Sequence, residues 1–368
     1  MTTRVVIAGR GAVTGFGRGA RTFLDATFRG ASAIAPRRRT APFAVPTSVA
    51  AEVPADVLPP HDHAFFFAKV AAEEALAEAG EPARGSLALV LASTKGDLSG
   101  VVGNGIGLGQ PWRLADRLAH SLGIGGGVTT ISCACASGLV AIANAARRIT
   151  LGEITHALVV GVDALHEFVM AGFGSVGALD PEPCRPFDRA RRGVTLGEGA
   201  GALLLTSDTR ASLGVVITGH GGANDACHVT GPDRQGAGLA LAARRALSSA
   251  NITTSDVDVL HVHGTGTEAN DATEAIGLAA LFAGRTPPAF GTKAQTGHTL
   301  GAAGVLESIV AIEALQRGIA APNVGLADPS VDARLDLVRE PRRLERSRRA
   351  LKVASGFGGV QAAVVFEA

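Results

Sequence analysis

The stretch Val5-Val-Ile-Ala-Gly-Arg-Gly11 occurs a second time in this chain, as Val215-Val-Ile-Thr-Gly-His-Gly221. Three further pairs of similar segments follow the two copies in the same order: Ala72–Ala79 with Ala243–Ala250, Val140–Ile142 with Val310–Ile312, and Gly197–Gly199 with Gly356–Gly358. Repetition in a fixed order indicates a duplicated structural unit. The alternative is that a chain rich in alanine and valine produces such matches through composition alone.

Both copies alternate strand-like apolar runs with helical patterns, which is typical of a layered α/β fold. Runs such as Leu87–Leu91 and Ala157–Val160 are apolar throughout, so we expect strands that helices cover on both faces. The predicted fold class is therefore α/β, with two pseudo-symmetric halves at residues 1–207 and 213–368. We expect a functional site where the two halves meet.

The composition argues against several classes of protein. The 368 residues carry a formal net charge of +1 at pH 7, so no general positive field favours nucleic-acid binding. The N-terminal residues lack a secretory-signal pattern, and apolar stretches end well before the ~20 residues of a membrane-spanning helix. Four cysteines at irregular spacing predict reduced thiols rather than a disulfide framework. We expect a cytoplasmic protein that does not insert into membranes.

The stretch Thr129-Thr-Ile-Ser-Cys-Ala-Cys135-Ala-Ser-Gly138 predicts a nucleophile at the entrance of a helix. The positive end of a helix dipole favours the thiolate, and small residues leave backbone N–H groups free to stabilise an oxyanion. An isolated buried cysteine is more often a small apolar side chain, so the assignment depends on its partners. Cys133 is the competing nucleophile, and a Cys-x-Cys pair also suggests metal binding. The helix entry follows Cys135, however, and no second ligand pair has zinc spacing.

Two histidines follow strand-like runs and stand beside glycines. His263 lies in Val262-His-Gly-Thr-Gly-Thr267, and His298 lies in Gly291-Thr-Lys-Ala-Gln-Thr-Gly-His298. Either histidine alone would more often be a satisfied core residue, but α/β proteins place functional groups at such strand-to-turn junctions. Neutral imidazoles donate hydrogen bonds to a carbonyl while charge develops on it, so two histidines with one cysteine suit carbonyl chemistry.

These three motifs resemble those of the β-ketoacyl acyl-carrier-protein synthases. The matching residues are Cys135 in Ala-Cys-Ala-Ser-Gly, His263 in His-Gly-Thr-Gly-Thr, and Lys293 with His298 in Lys-x-x-x-Gly-His-x-x-Gly-Ala-Ala-Gly. The segments Arg185–Asp188 and Gly356–Gly359 are similar to a mid-chain signature and to the closing glycine loop of the family. The resemblance implies a thiolase-like fold in which two βαβαβαββ halves form five αβαβα layers. It also implies a homodimer, or a heterodimer with a related ketosynthase-like chain.

The resemblance further implies a decarboxylative Claisen condensation in two stages. Cys135 would take an acyl group from the phosphopantetheine thioester of an acyl carrier protein. Malonyl carrier protein would then lose CO₂ while His263 and His298 stabilise the enolate. By the same resemblance, backbone N–H groups of Cys135 and Phe357 form the oxyanion hole, and the Phe357 side chain is a gate. No bound cofactor or metal is implied, because the carrier protein holds the substrates.

Other residues receive supporting roles from the same resemblance. Lys293 would tune the field around His298, while Asp271 and Glu307 would form hydrogen bonds without reacting. Basic clusters occur at Arg37–Arg39 and between Arg339 and Lys352. Such clusters are either solvated surface or a docking site for an acidic carrier protein.

The chain departs from the family pattern at two places that would shape the acyl pocket. Ser355 replaces a bulky aromatic residue next to the gate, and the stretch between Ser93 and Cys135 is shorter than usual. Primer and product length are therefore not transferred from the family. The resemblance covers fatty acid and type II polyketide pathways, with aryl polyene systems as one possible subtype.

Two other functions are compatible with the same fold. A non-catalytic partner subunit of the chain-length-factor type lacks the cysteine, so the set of Cys135, His263 and His298 argues against it. The second alternative is a thiolase, or an acyltransferase without decarboxylation. A thiolase would have a second catalytic cysteine near its C-terminus, and none follows Cys227.

Overall fold

The computed structural model describes residues 3–39, 45–59, 61–98, 109–211 and 213–368. Its strands are β1 (Val5–Thr14), β2 (Gly17–Arg18), β3 (Ala35–Pro36), β4 (Val49–Ala50), β5 (Ala88–Ala92), β6 (Val128–Ile131), β7 (His156–Asp163), β8 (Gly199–Thr206), β9 (Val216–Asn224), β10 (Val259–His261), β11 (Ala289–Phe290), β12 (Ile319–Ala320), β13 (Arg342–Arg343), β14 (Arg349–Gly356) and β15 (Val360–Glu367). Its α-helices are α1 (Ala20–Phe28), α2 (His63–Glu78), α3 (Pro111–Leu122), α4 (Ser137–Thr150), α5 (Glu167–Ser175), α6 (Ala237–Ser249), α7 (Glu268–Phe282), α8 (Lys293–Thr296) and α9 (Ala303–Arg317).

An eleven-stranded sheet runs through the molecule in the order β11-β10-β14-β15-β9-β1-β8-β7-β5-β6, and β2 pairs with β1. The strands of the first half therefore stay together on one side, and those of the second half stay together on the other. The two sets join through a short antiparallel contact, in which Val5 pairs with Ile217 and Val6 with Val216. Read outward from this contact, β1-β8-β7-β5-β6 corresponds to β9-β15-β14-β10-β11. This symmetric order confirms the predicted duplication.

Helices α4 and α9 form a layer between the two half-sheets, and their apolar side chains pack against strands of both halves. Helices α2 and α3 cover the outer face of the first half, while α6 covers that of the second half, where α7 packs against α6. The result is the predicted αβαβα arrangement of five layers. The first thirteen residues of α9 are all buried, which explains why that helix carries apolar and small residues on every side.

Two glycines let the central helices touch at their N-terminal ends. A Cβ atom on Gly304 would lie 2.3 Å from the backbone nitrogen of Leu139, and one on Gly138 would lie 2.8 Å from that of Val305. Any larger residue at either position would force the helices apart. The glycines therefore hold the residues that precede α4 and α9 close together across the two halves.

Strand β5 is buried along its whole length and runs parallel to β6 and β7, as its continuous apolar sequence predicts. The four cysteines are free. No helix in the described ranges combines the length and apolarity needed to cross a membrane. The shortened stretch between Ser93 and Cys135 includes residues 99–108, which lie outside the described residues.

Candidate active site

Cys135 lies in a tight turn immediately before α4. Ala134 has a φ of +48°, a left-handed conformation that is uncommon for alanine. The Ser137 hydroxyl fixes this turn, because it accepts a hydrogen bond from the Cys133 N–H at 2.8 Å and donates one to the Ala134 carbonyl at 2.6 Å. The turn leaves Cys135 only 6% exposed, with its side chain lining a cavity.

Burial raises the pKa of the Cys135 thiol to about 12, against the opposing effect of the Lys293 charge. The helix entrance is where the sequence predicts it, and a helix N-terminus favours a thiolate. Burial of the sulfur opposes that effect and favours the thiol form.

The end of β14 lies beside the backbone of the Cys135 turn. A Cβ atom on Gly356 would lie 3.3 Å from the Cys135 nitrogen and 3.2 Å from the Ala136 nitrogen. The next residue, Phe357, lines the cavity, and its ring stacks on that of Phe173 in α5, with ring centroids 5.6 Å apart. This approach brings the main chain at Phe357 next to the main chain at Cys135.

His263 lies in a loop that follows β10 and that carboxylates of α7 hold in place. Glu274 accepts hydrogen bonds from the backbone N–H groups of His263 at 2.5 Å and Gly264 at 2.8 Å. Because β10 and β14 are parallel neighbours, His263 and Phe357 emerge at the same edge of the sheet. Burial raises the pKa of Glu274 to about 7, against the lowering effect of these two hydrogen bonds.

Asp271 connects the same loop to the mid-chain segment that contains Phe187. Its carboxylate accepts hydrogen bonds from the backbone N–H groups of Phe187 at 2.7 Å and Thr265 at 3.0 Å. It also accepts one from Gly266, at 3.1 Å to the nearer oxygen. Asp271 therefore fixes the shape of the loop from a buried position, and it does not line the cavity.

His298 follows α8 in a turn that is tied to the first half of the chain. Its backbone N–H donates to the Thr195 carbonyl at 2.7 Å, and its carbonyl accepts from Gly197 at 3.1 Å. Both ring nitrogens of His298 are buried and lack a hydrogen-bond partner among the described residues. A buried imidazole without a protein partner is expected where a substrate supplies the hydrogen bond.

The two imidazoles are neutral at physiological pH. Burial and, to a smaller extent, the Lys293 charge lower the pKa of His298 to about 3. The same two causes, in the same order, hold the pKa of His263 well below its usual value. The Lys293 ammonium lies 3.3 Å from Nδ1 of His263. An ammonium group only donates, so Nδ1 accepts and the ring proton of His263 is on Nε2.

Lys293 and Glu307 form a buried ion pair behind the histidines. The Lys293 Nζ atom lies 2.5 Å from Oε1 of Glu307 and donates to the His263 carbonyl at 2.6 Å. The sequence interpretation placed the effect of Lys293 on His298, whose pKa the Lys293 charge does lower; its direct contacts are with His263. Burial alone would raise the pKa of Glu307, but Lys293 and Lys352 together hold it at about 2.

Cys135, His263 and His298 line one cavity of about 270 Å³, together with Phe357, Thr265 and Thr267. Cys135 comes from the first half of the chain and the histidines from the second, so the site lies where the halves meet. Lys293, Glu307 and Asp271 lie behind this lining and do not reach the cavity surface. The described residues contain no group of three or more histidine, cysteine, aspartate or glutamate side chains placed to hold a metal ion.

Sequence reasoning missed two groups beside the site. Lys352 lies in the basic cluster noted above, yet its side chain is completely buried against Glu307. His261 is likewise buried within an apolar strand. The signal was present: a lysine within Ala350–Ala354 and a histidine within Val259–Val262 interrupt apolar runs of buried strands.

Several arginines of that basic cluster are paired with acidic residues. Arg342 contacts Asp336 at 2.8 Å and Arg349 contacts Glu367 at 2.9 Å. These arginines lie at or before the start of β14, whereas Phe357 follows its end. The cluster is therefore at the opposite end of that strand from the cavity and gives no support to carrier docking there.

A duplicated five-layered fold with a cysteine and two neutral histidines in one cavity defines a thiolase-like enzyme of acyl transfer. Residues 2–211 match the N-terminal domain of β-ketoacyl synthases, and residues 215–327 match their C-terminal domain. The chain belongs to the β-ketoacyl synthase family. It is an acyltransferase with ketosynthase function in fatty acid or polyketide-type biosynthesis.

Individual relatives agree with this family. Nodulation protein E of Rhizobium meliloti (strain 1021) is 32% identical over an alignment 413 positions long, with all of both chains covered. The 3-oxoacyl-[acyl-carrier-protein] synthase 2 of Vibrio harveyi is 35% identical over 269 residues, which are 69% of this chain and 65% of that protein. Among solved structures, the ishigamide ketosynthase/chain length factor superposes with a TM-score of 0.91 at 27% identity, covering 100% of this chain and 99% of that one.

Proposed function

We propose that this protein condenses an acyl thioester with malonyl acyl carrier protein, using Cys135 as the nucleophile and His263 and His298 as hydrogen-bond donors. The observation that carries the proposal is the meeting of these three side chains in one cavity, with both imidazoles neutral. Neutral imidazoles donate a hydrogen bond to a thioester oxygen without protonating the enolate that forms there.

The first stage is transfer of the acyl group to the sulfur. The Cys135 proton is lost as the S–C bond forms, and the thiol of the carrier arm leaves with a proton. The neutral His298 imidazole lines the same cavity and is the group that we assign to pass this proton from Cys135 to the leaving thiolate. The backbone N–H groups of Cys135 and Phe357 are the proposed oxyanion donors, since the main chain at Gly356 packs against the Cys135 turn.

The second stage uses the same cavity with a malonyl thioester. The bond to the carboxylate breaks, CO₂ leaves, and the electron pair forms an enolate whose oxygen accepts hydrogen bonds from His263 and His298. The enolate carbon then attacks the acyl group on Cys135 and releases the sulfur. Lys293, Glu307 and Asp271 hold the histidines and their loop in place. The chemistry as proposed needs no bound cofactor or metal.

The partners in this proposal are an acyl carrier protein and a second ketosynthase-like chain. The carrier protein is supported by the relative whose name specifies an acyl-carrier-protein synthase. The second chain is supported by the ketosynthase/chain length factor that this fold matches. A homodimer is the alternative to that heterodimer. We place the protein in the cytoplasm, where reducing conditions keep the nucleophilic thiol free.

A non-catalytic chain-length factor is the competing assignment, because structural neighbours carry that name. The retained Cys135, His263 and His298 favour the catalytic subunit. We further propose residues 1–207 and 213–368 as the two halves, the first supplying the nucleophile and the second both histidines.

Intact-mass spectrometry after incubation with an acyl carrier protein thioester tests the proposal. The wild type should gain the mass of the acyl group, and Cys135→Ala should not. Cys133→Ala is the matched control, since Cys133 lies two residues away and is half-buried; it should be acylated normally. Acylation of the Cys135→Ala variant, or its loss only in Cys133→Ala, would overturn the assignment.

A further inference from the structure

A second buried lysine, outside the three catalytic motifs, lies behind the predicted catalytic groups. Lys352 is 0% exposed and occupies the middle of β14, within an otherwise apolar run. Its neighbours along the strand, Leu351 and Val353, are buried as well. Burial of an ammonium group is unfavourable unless the charge is paired and hydrogen-bonded. A lysine at this position therefore needs compensating partners.

Those partners connect Lys352 to the ion pair beside His263. Its Nζ atom lies 2.7 Å from Oε2 of Glu307, while the other oxygen of the same carboxylate lies 2.5 Å from Nζ of Lys293. Lys352 also donates to the carbonyl of Val353 at 2.5 Å and to that of Val262, the residue before His263, at 3.3 Å. One carboxylate is thus shared by two ammonium groups, and the cluster carries a net charge of +1 when both lysines are protonated.

We propose that Lys352 is a positioning residue that leaves this net positive charge behind His263 and His298, where it stabilises the enolate formed when the malonyl thioester loses CO₂. The inference rests on the proposed function. Without Lys352, Glu307 would neutralise Lys293, and two uncharged imidazoles would face the enolate alone. Fixed positive charge in a site that excludes water stabilises developing negative charge more strongly than the same charge in solvent.

Several titratable groups face Lys352 from the surrounding elements. They are Glu307 on α9, Lys293 on α8, His298 after α8, His261 on β10, His263 after β10, and Glu274 on α7. Burial, and to a smaller extent the Lys293 charge, lower the pKa of Lys352 to about 8 against the opposing effect of Glu307. Lys293 and Lys352 hold the pKa of Glu307 at about 2, and burial keeps the pKa values of His261, His263 and His298 well below their usual value, so these groups do not titrate with Lys352. Glu274, whose pKa burial raises to about 7, does ionise in this range; it is present in every variant, so only a change that depends on residue 352 reports Lys352. As the pH rises through 8, the cluster charge falls from +1 to 0.

This titration gives a direct test on the whole protein. CO₂ release from malonyl-phosphopantetheine should be measured between pH 6 and pH 9.5 for the wild type, Lys352→Met and Lys352→Arg. The wild-type rate should fall about tenfold on the alkaline side, with an apparent pKa near 8. Lys352→Met should be about tenfold slower at pH 7 and lack that decrease. Lys352→Arg should keep its rate to higher pH, because the guanidinium stays charged.

The variants are chosen so that folding does not decide the result. Methionine is similar in length and leaves the neutral Lys293–Glu307 pair intact, so no single buried charge loses its only partner. Acylation of Cys135 from an acyl thioester, followed by intact mass, reports whether each variant is folded. If Lys352→Met fails to fold, the pH profile of Lys352→Arg is the test. Only a role of the charge would shift the alkaline decrease in the rate of CO₂ release to a higher pH in that variant.

The outcomes separate this inference from the proposed function. No CO₂ release by the wild type would refute the proposed function itself. If the wild type is active and Lys352→Met has the same pH profile of CO₂ release as the wild type, the role of Lys352 is overturned. Where Lys352→Met does not fold, the same result in Lys352→Arg overturns it. Loss of acylation and decarboxylation together, with a lower melting temperature, would also overturn it, because that pattern indicates a structural role only.

Discussion

His263 and His298 meet edge to face, with ring centroids 5.6 Å apart and ring planes at 89°. The two rings come from separate loops, one after β10 and one after α8. A perpendicular pair can direct one N–H group from each ring at the same oxygen atom, which a parallel stack would not allow. The geometry therefore suits a shared carbonyl acceptor better than proton exchange between the rings.

Replacing either histidine should separate the two stages of the reaction. For His263→Ala and for His298→Ala we expect CO₂ release from a malonyl thioester to fall by about 10²–10³, the usual loss for one oxyanion donor. Acylation of Cys135 should be reduced less in His263→Ala than in His298→Ala, because we assign His298 to the proton transfer from Cys135 to the leaving thiolate. His120→Ala, an exposed histidine on α3, is the control. Decarboxylation at the control rate in both variants would contradict the assignment.

The pH dependence of Cys135 alkylation reports the burial of its sulfur. With its pKa raised to about 12, the thiolate fraction should increase about tenfold for each pH unit between 6 and 9. The rate of iodoacetamide addition should rise in proportion, as followed by peptide mass spectrometry. A Cys227→Ser background removes the exposed thiol. A plateau below pH 8 would mean that the dipole of α4 outweighs burial.

Asp271→Asn should destabilise the loop that carries His263. The carboxylate accepts from the backbone N–H groups of Phe187, Thr265 and Gly266, whereas an amide has one oxygen and turns an NH₂ group toward at least one donor. A buried unsatisfied donor costs about 1–3 kcal/mol, so the melting temperature should fall together with kcat. Glu268→Gln, an exposed position on the same helix, is the control. Unchanged stability in Asp271→Asn would refute this role.

The duplication and the layered fold follow from features that a sequence carries directly: repeated segments and continuous apolar strands such as β5 and β7. Cys135, His263 and His298 were predictable for the same reason, because each follows a strand or opens a helix beside glycines. The ionisation of the cysteine was not predictable. Local sequence shows the helix entrance, but the depth of burial depends on the packing of both halves.

The buried charge cluster of Lys352, Glu307 and Lys293 behind the histidines could not be predicted from local sequence either. In the sequence, Lys352 looks like part of a solvated basic cluster, because several arginines precede it, both before β14 and at its start. Its burial depends on which face of β14 its side chain lies on, since side chains alternate between the two faces of a strand. It also depends on Glu307, which is 45 positions away in the sequence and contacts Lys352 because α9 packs against β14. Charge pairing across a fold requires the tertiary structure, whereas apolar patterns do not.

Gly356→Ala should impair catalysis through the oxyanion hole while the fold is retained. The new Cβ atom would lie 3.1 Å from the Cys133 carbonyl oxygen, 3.2 Å from the Ala136 nitrogen and 3.3 Å from the Cys135 nitrogen. All three are backbone atoms, so β14 must move away from the turn by a few tenths of an ångström. That shift separates the N–H groups of Cys135 and Phe357. Because an oxyanion site depends on donors held at hydrogen-bond distance, we expect a loss of about 10²-fold in the rate of acyl transfer.

The control for this change is Gly222→Ala on strand β9 of the same sheet. There a Cβ atom would meet only the Gln361 carbonyl, at 3.7 Å, which is an ordinary contact. Its acylation rate should match that of the wild type, while Gly356→Ala should be slow in both acylation and condensation, since each stage passes through an oxyanion next to Cys135. Wild-type rates in Gly356→Ala, at an unchanged melting temperature, would show that the main chain at Phe357 does not contribute a donor. A decrease confined to CO₂ release would instead place the effect at the histidines, because decarboxylation alone uses the enolate site.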